Sequence, residues 1–198
     1  MQNYEIHITV PVGLGETNIE RFQEICRALG VKAIVIDAHP LTDVMTSFRM
    51  KSDDQNEVFR EMTHQMLVLG GHGYLAIRTK VETDITHPAA KTPLPNQYFE
   101  SHIQLRLSEL DLVNLKELQQ GIDFHISTNA LKPVEDGKHI RMVTLREYHT
   151  TPEKFTRRVE ALRNVLKSEG FELAKEMEIE FALYDSNPHH DQPWLAKR

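Results

Sequence analysis

The sequence predicts an α+β fold made of two tandem ferredoxin-like βαββαβ units related by internal duplication. The pattern aromatic-Glu-x-His-Ile at residues 4–8 returns at residues 99–103. A hydroxyl residue and an arginine two positions apart within residues 45–49 return within residues 142–146. After each copy of the first pattern, apolar periods typical of strands and helices follow in the order βαββαβ. That order predicts a four-stranded antiparallel sheet with the usual strand order 4-1-3-2 and both helices on one face.

The first unit is predicted from a polar-apolar alternation followed by helical periods. Its first strand places Glu5, His7 and Thr9 on one face and apolar side chains on the other. A capping-box spacing at residues 17–20 starts the first helix, and Gly30 ends it. The predicted elements of this unit, which covers residues 1–83, are strands at 4–10, 32–37, 44–51 and 75–82 and helices at 17–29 and 54–69.

The second unit follows a linker, predicted because residues 84–97 contain Pro88, Pro93 and Pro95 and show no period. A helix start is predicted at Thr151, since Pro152 stands at the first helical position. The predicted elements of this unit, which covers residues 98–184 and precedes a tail at 185–198, are strands at 99–107, 122–129, 140–148 and 172–183 and helices at 112–118 and 151–166.

Composition bounds the class of protein. The chain has 198 residues, 40% of them hydrophobic, which is enough for one ordinary core or two small ones. The net charge is −6 and the pI is near 6.0, so we expect neither nucleic acid nor an anionic membrane as a partner. The sequence has no apolar run of membrane-spanning length and no charged segment followed by an apolar one at its start, which predicts a cytoplasmic protein. Cys26, the only cysteine, is predicted to be a buried hydrophobe.

The polar faces of the two predicted sheets carry the candidate site. Because the apolar face of each sheet meets the helices, the polar faces are left open and are expected to confront each other across a cleft. A histidine with a glutamate two residues away suits proton transfer, and arginine forks and hydroxyls suit phosphate or carboxylate. The candidate acid-base residues are Glu5, His7, Glu100, His102 and His125. The candidate residues for binding an anionic small molecule are Thr9, Ser47, Arg49, Arg78, Lys80, Ser127, Thr144 and Arg146. We expect no cofactor and no metal.

A second hypothesis explains the same residues without a ligand. Opposite charges on the two faces can form salt bridges across a pseudo-twofold interface and hold the halves in register. The protein would then be a non-catalytic binding or assembly protein whose polar faces pair with each other or with a partner chain. A homodimer is one form that such an assembly could take.

Two short segments resemble the His-hydrophobic-Thr/Ser-hydrophobic motifs of the 2H phosphoesterase superfamily. They are residues 7–10, His-Ile-Thr-Val, and residues 125–128, His-Ile-Ser-Thr. The resemblance implies a two-lobed, metal-independent hydrolase of phosphoesters, with His7 and His125 as acid and base and Thr9 and Ser127 holding phosphate oxygens. The internal repeat departs from that pattern because it pairs His7 with His102. Whether His102 or His125 partners His7 is left open.

The tail contains residues that could serve a separate site. The tripeptide at 189–191 is His-His-Asp, a set of metal-ligating types. Three adjacent residues do not easily turn toward one ion, so a solvated tail is the expectation. Trp194 and Leu195 are expected to dock the tail onto the body of the protein.

Overall fold

The computed structural model describes residues 1–11, 16–37, 42–129, 138–175 and 177–191. The expected docking of Trp194 and Leu195 lies outside the described residues. The strands are β1 (Gln2–Val10), β2 (Lys32–Asp37), β3 (Thr42–Ser52), β4 (Arg78–Asp84), β5 (Tyr98–Leu107), β6 (His125–Asn129), β7 (His139–Tyr148), β8 (Glu172–Leu173) and β9 (Glu178–Asp185). The helices are α1 (Glu16–Ala28), α2 (Gln55–Gly71), α3 (Glu109–Leu118) and α4 (Pro152–Ser168), with a 3₁₀ helix at Pro88–Lys91.

Eight of these strands close into an antiparallel barrel. The first half has the order β4-β1-β3-β2 and the second half β9-β5-β7-β6, which is the predicted 4-1-3-2 order in each. The halves meet along two seams, where β2 pairs with β6 and β4 pairs with β9. The pairing of β5 with β7 completes the ring. Because every barrel strand has two neighbours, none of the eight is left as a sheet edge.

The expected cleft between two sheets is therefore an enclosed lumen. The sequence predicts two separate four-stranded sheets, but the edge strands of one half hydrogen-bond to those of the other. The segment 84–97, expected to be a linker, carries the 3₁₀ helix and buries Ala90 completely.

The helices lie outside the barrel on two clusters of buried apolar side chains. In β1, Ile6 and Ile8 are fully buried and belong one to each cluster, while His7 faces the lumen. The predicted alternation of this strand is thus confirmed. Cys26 is also buried among apolar neighbours, and burial raises the pKa of its thiol to about 12. That environment agrees with its prediction as a small hydrophobe.

Some of the predicted ends of helices and strands are confirmed, and others lie at different residues in the structure. Gly30 and Gly170 adopt φ values of +70° and +84° just after α1 and α4, where a left-handed residue ends a helix. Strand β4 begins at Arg78, not at residue 75. The predicted last strand is divided into β8 and β9. Within the described part of the chain, no helix is both long and apolar enough to cross a membrane.

Candidate functional site

A cavity of about 340 Å³ occupies the lumen of the barrel. All eight barrel strands contribute to its wall. Polar side chains cover much of this wall, with apolar ones from β2, β3 and β7, namely Ile34, Ile36, Met45 and Met142. The volume suits a small molecule and falls in the usual range of ligand pockets.

The lumen opens at one end, here called the mouth, where β1 and β9 begin and β3 and β4 end. A groove of about 690 Å³ lies at the mouth and shares five lining residues with the lumen cavity. The shared residues are Glu5, Arg49, Glu82, Glu178 and Glu180. Most of them are acidic, so a ligand entering here meets a wall of carboxyl groups.

His7 pairs with Glu82, a carboxylate that is not among the candidate residues predicted from the sequence. Its Nε2 lies 2.9 Å from Oε2 of Glu82, and its Nδ1 is buried with no hydrogen-bond partner among the described residues. Burial alone would raise the pKa of Glu82, but Lys80 and His7 outweigh it and lower that pKa to about 2. Glu82 is therefore ionised and accepts a hydrogen from Nε2, which leaves Nδ1 of neutral His7 as the basic nitrogen.

His102 occupies the equivalent position in the second half but is held on both ring nitrogens. Its Nδ1 lies 3.0 Å from Oγ1 of Thr144, and its Nε2 lies 3.6 Å from Oε2 of Glu100. Burial lowers the pKa of His102, yet the hydrogen bond and charge of Glu100 raise it overall. His102 therefore favours the protonated form more than a free histidine does.

Glu180 is the carboxyl group with the most unusual environment in the lumen. Burial raises its pKa most, the charge of Glu82 adds to that, and His102 and Lys80 oppose it, leaving a pKa of about 8. No described residue forms a hydrogen bond or an ion pair with its side chain. Glu180 is consequently a protonated acid at neutral pH, facing the lumen.

The most deeply buried cations of the lumen, Arg78, Arg146 and Lys80, are paired with carboxylates of the chain. Arg78 contacts Asp185 at 2.6 Å and Asp191 at 2.8 Å. Arg146 contacts Glu100 at 2.7 Å and also Asp191. The Lys80 ammonium lies 2.8 Å from Oε1 of Glu82 and 3.0 Å from Oε2 of Glu100, which links the network to the histidine pairs. Burial alone would raise the pKa of Glu100, but Arg146 and Lys80 hold it well below its usual range.

Of the remaining predicted binding residues, Arg49, Ser127 and Thr144 line the lumen cavity, whereas Ser47 and Thr9 do not. Ser47 and Arg49 both donate to Glu5, at 2.6 Å each, and the Arg49 side chain is 66% exposed. Ser127 and Thr144 line the lumen cavity. Thr9 is buried beside Arg78 and is not in the cavity wall.

His125 is not brought together with His7. It begins β6 and lines a smaller cavity of about 160 Å³, which shares only Thr144 and Arg146 with the lumen. His102 and His7 line the same cavity. The geometry thus joins the two histidines of the internal repeat rather than the two that carry the 2H resemblance.

The expectation of a solvated tail is wrong for its first residues. Asp191 is only 2% exposed, and the ring of His190 lies 2.7 Å from Oδ1 of Asp43. Burial follows from the ion pairs that Asp191 makes with Arg78 and Arg146, two residues far away in the sequence. No periodic pattern covers this segment, so local sequence offered no signal of it.

Three of these residues have the chemistry of a metal site. Ligand atoms of Asp43, His190 and Asp191 lie within 4.8 Å of one another. The Asp191 carboxylate, however, already faces two guanidinium groups, whose charge opposes a cation at the same place. The cluster is better described as part of the ionic network.

Comparisons with known proteins add no functional assignment. No protein-family model and no curated protein sequence matches the chain. A crystal structure assigned as a chlorite dismutase is 10% identical, with 93% of this chain and 96% of that chain covered and a TM-score of 0.30. A mutant chlorite dismutase from Candidatus Nitrospira defluvii is 10% identical, with 98% and 94% covered and a TM-score of 0.31. Likenesses at these TM-scores carry no conclusion about fold or function.

Proposed function

We propose that the protein is an acid-base enzyme acting on a small molecule bound in the barrel lumen. The observation that carries the proposal is Glu180, a carboxylic acid with a pKa of about 8, in the same cavity as His7. A proton donor and a proton acceptor in one cavity are what general acid-base catalysis requires.

The two groups take different roles. Glu180 is the general acid, since it holds its proton at neutral pH and donates it to no described residue. His7 is the general base, because Glu82 fixes the ring hydrogen on Nε2 and leaves Nδ1 free to accept a proton. His102 is a positioning group, since its Nδ1 contacts Thr144 and its Nε2 faces the Glu100 carboxylate.

The substrate class that we propose is a small molecule with an anionic group, such as a phosphorylated or nucleotide-like compound. Arg78, Lys80 and Arg146 line the lumen, and such a group can pair with the two guanidiniums when it displaces their shared carboxylate partner, Asp191. Cleavage of a phosphoester without a metal is one reaction that an acid and a base lining the same cavity support. The resemblance of residues 7–10 to the 2H motif agrees with that reaction class.

A thermal-shift screen followed by turnover assays tests the proposal. Phosphorylated and carboxylated metabolites are screened at neutral pH, where a ligand at 100 times its Kd stabilises the fold by about 2.7 kcal/mol. Each hit is then incubated with enzyme and followed by ¹H and ³¹P NMR. We expect Glu180→Gln and His7→Gln each to lower kcat by ~10²-fold or more while the hit still binds.

Glu178→Gln provides the matched control. Glu178 lies two residues before Glu180 on the same strand, also lines the lumen, and is paired with Lys175 at 2.6 Å. Its replacement should leave kcat within a few-fold of the wild-type value. Equal loss in the Glu178 and Glu180 variants, or full activity without Glu180, would contradict the proposal.

One observation favours a second candidate, a binding protein without catalysis. The network of Arg78, Asp185, Arg146, Glu100 and Lys80 links both halves and is almost fully buried, so it accounts for those charges structurally. In this case a hit from the screen would be bound tightly and recovered unchanged. The NMR assay separates the two candidates.

We also propose that the two halves share an origin by duplication. The repeated strand order and the equivalent positions of the pairs Glu5 with Arg49 and Glu100 with Arg146 support it. In both pairs the glutamate of the first strand meets the arginine of the third.

A further inference from the structure

The end of the barrel opposite the mouth is covered by the segment that follows β9. Residues 186–191 turn back after Asp185, with the backbone N–H of Asn187 donating to Oδ1 of Asp185 at 3.0 Å. The turn brings the Asp191 carboxylate onto Arg78 at 2.8 Å and onto Arg146 at 2.5 Å. One carboxylate therefore bridges two guanidinium groups contributed by different halves.

We propose that Arg78 and Arg146 form a binding site for a small oxyanion, a carboxylate or a phosphate, and that Asp191 occupies this site as an internal competitor. The proposal rests on the proposed function only in placing the anionic group of the ligand at this end of the lumen. Arg78, Arg146 and Asp191 all line the lumen cavity, so a ligand inside the barrel reaches the same place.

The two arginines are held in position independently of Asp191. Arg78 also donates to Asp185 through Nε at 3.0 Å, and Arg146 also donates to Glu100 through Nε at 2.9 Å. The Arg146 guanidinium lies 4.3 Å from the centre of the Tyr98 ring, which fixes its plane. Both side chains therefore keep their geometry when the carboxylate that bridges them is exchanged.

One donor of this site points to a ligand. The Nη1 atom of Arg146 is buried and has no hydrogen-bond acceptor among the described residues, although the Arg146 side chain is only 4% exposed. A buried guanidinium N–H without an acceptor is costly. An oxyanion with more oxygens, or with more freedom to place them than Asp191 has, can satisfy it.

Asp191 is the exchangeable carboxylate of the three around these arginines. Asp185 and Glu100 belong to β9 and β5, whereas Asp191 belongs to the turn after β9. Exchange with a monocarboxylate also leaves the total charge of the network unchanged. A free anion must compete with a group that is covalently held nearby, so binding to the wild-type chain is weakened.

Calorimetric titration of Asp191→Asn with acetate and with inorganic phosphate tests the inference. We expect the variant to bind at least one of these anions ~10-fold or more tightly than the wild-type protein does, since the competitor is gone and both arginines remain. Tighter binding of acetate alone assigns the site to carboxylates, and tighter binding of phosphate alone assigns it to phosphates. The double variant Asp191→Asn, Arg146→Gln should bind these anions no more tightly than the wild-type protein does.

Glu160→Gln is the control, an exposed carboxylate of α4 whose replacement changes the net charge equally. Equal affinity of folded Asp191→Asn and wild type for both anions would overturn the inference. Where Asp191→Asn is too unstable to titrate, its melting temperature must rise more in phosphate or acetate than in chloride of equal ionic strength. An equal melting temperature in all three salts also overturns it. Neither the titration nor the melting temperature depends on turnover, so their results do not test the acid-base proposal.

Discussion

At the residue scale, Glu180 shows how neighbours decide the chemistry of a side chain. Glu178, two positions earlier on the same strand, has a lowered pKa. Its burial raises the pKa, but the lowering by Lys175 and Arg49 is larger. Glu180 has no such cation in contact, and its pKa is about 8. At the same pH, Glu178 is therefore ionised and Glu180 is protonated, although both lie on one face of β9.

The raised pKa of Glu180 predicts a pH dependence of stability. Unfolding returns the pKa of this carboxyl from about 8 to its ordinary value of 4.5. Between those pH values the folded state therefore binds more protons than the unfolded state does. Its contribution to the free energy of unfolding is complete below about pH 4.5 and is lost as the pH rises through about 8. Relative to Glu180→Gln, the wild-type protein should therefore become progressively less stable from pH 5 to pH 8.5.

Urea unfolding of both proteins at several pH values in that range measures the effect. Glu178→Gln is the control, because the pKa of Glu178 is lowered and its linkage has the opposite sign and lies at acid pH. Parallel pH profiles for the wild type and Glu180→Gln would show that the carboxyl is ionised in the folded protein.

The sequence predicts which side chains share a face of a strand, but not which side chains they contact. The alternation in β1 correctly placed Glu5 and His7 together on the lumen side. The pairing of His7 with Glu82 and the isolation of Glu180 depend on strands distant in sequence. Periodicity holds no information on such contacts, so the protonation states could not be predicted.

At the scale of elements, equivalent positions on β3 and β7 carry out different tasks. Arg49 and Arg146 each pair with the glutamate opposite on the first strand of their half. Arg49 lies at the mouth and is 66% exposed, whereas Arg146 is 4% exposed and joins the central network. Position along the barrel axis, and not the local pattern, separates them.

Replacement of the two arginines should therefore give unequal losses of stability. Arg146→Gln leaves Glu100 and Asp191 buried without their main cation, which should cost about 3–5 kcal/mol of unfolding free energy. Arg49→Gln removes an exposed pair and should cost less than about 1 kcal/mol. Chemical denaturation monitored by circular dichroism measures both, and equal losses would show that the two pairs have the same energetic role.

The strand order within each half could be predicted from the sequence. The pairings between the halves, β2 with β6 and β4 with β9, could not. The order βαββαβ predicts 4-1-3-2 from general topology. The seam between β2 and β6 rests on only two residue pairs, Ile36 with Asn129 and Asp37 with Thr128. No local feature of either strand distinguishes such an edge-to-edge pairing from an exposed edge.

At the scale of the whole molecule, closure of the barrel converts two polar sheet faces into one enclosed site. Closure brings carboxylates, histidines and cations of both halves into one cavity, where a lower local dielectric strengthens the charge interactions among them. It also separates the site into a mouth rich in carboxyl groups and a far end closed by Asp191. The sequence predicted confrontation of the two faces, whereas the lumen and its closing segment required the structure.

The proposal that Glu180 donates a proton and His7 accepts one within a single lumen is tested by NMR at pH 7. A ¹³C titration of the Glu180 carboxyl and the ¹⁵N shifts of the His7 ring report both groups in the same sample. We expect Glu180 to be mostly protonated, with a pKa of about 8, and the neutral tautomer of the His7 ring to carry its hydrogen on Nε2. A Glu180 carboxyl that is fully ionised at pH 7, or a neutral His7 with its hydrogen on Nδ1, would contradict it.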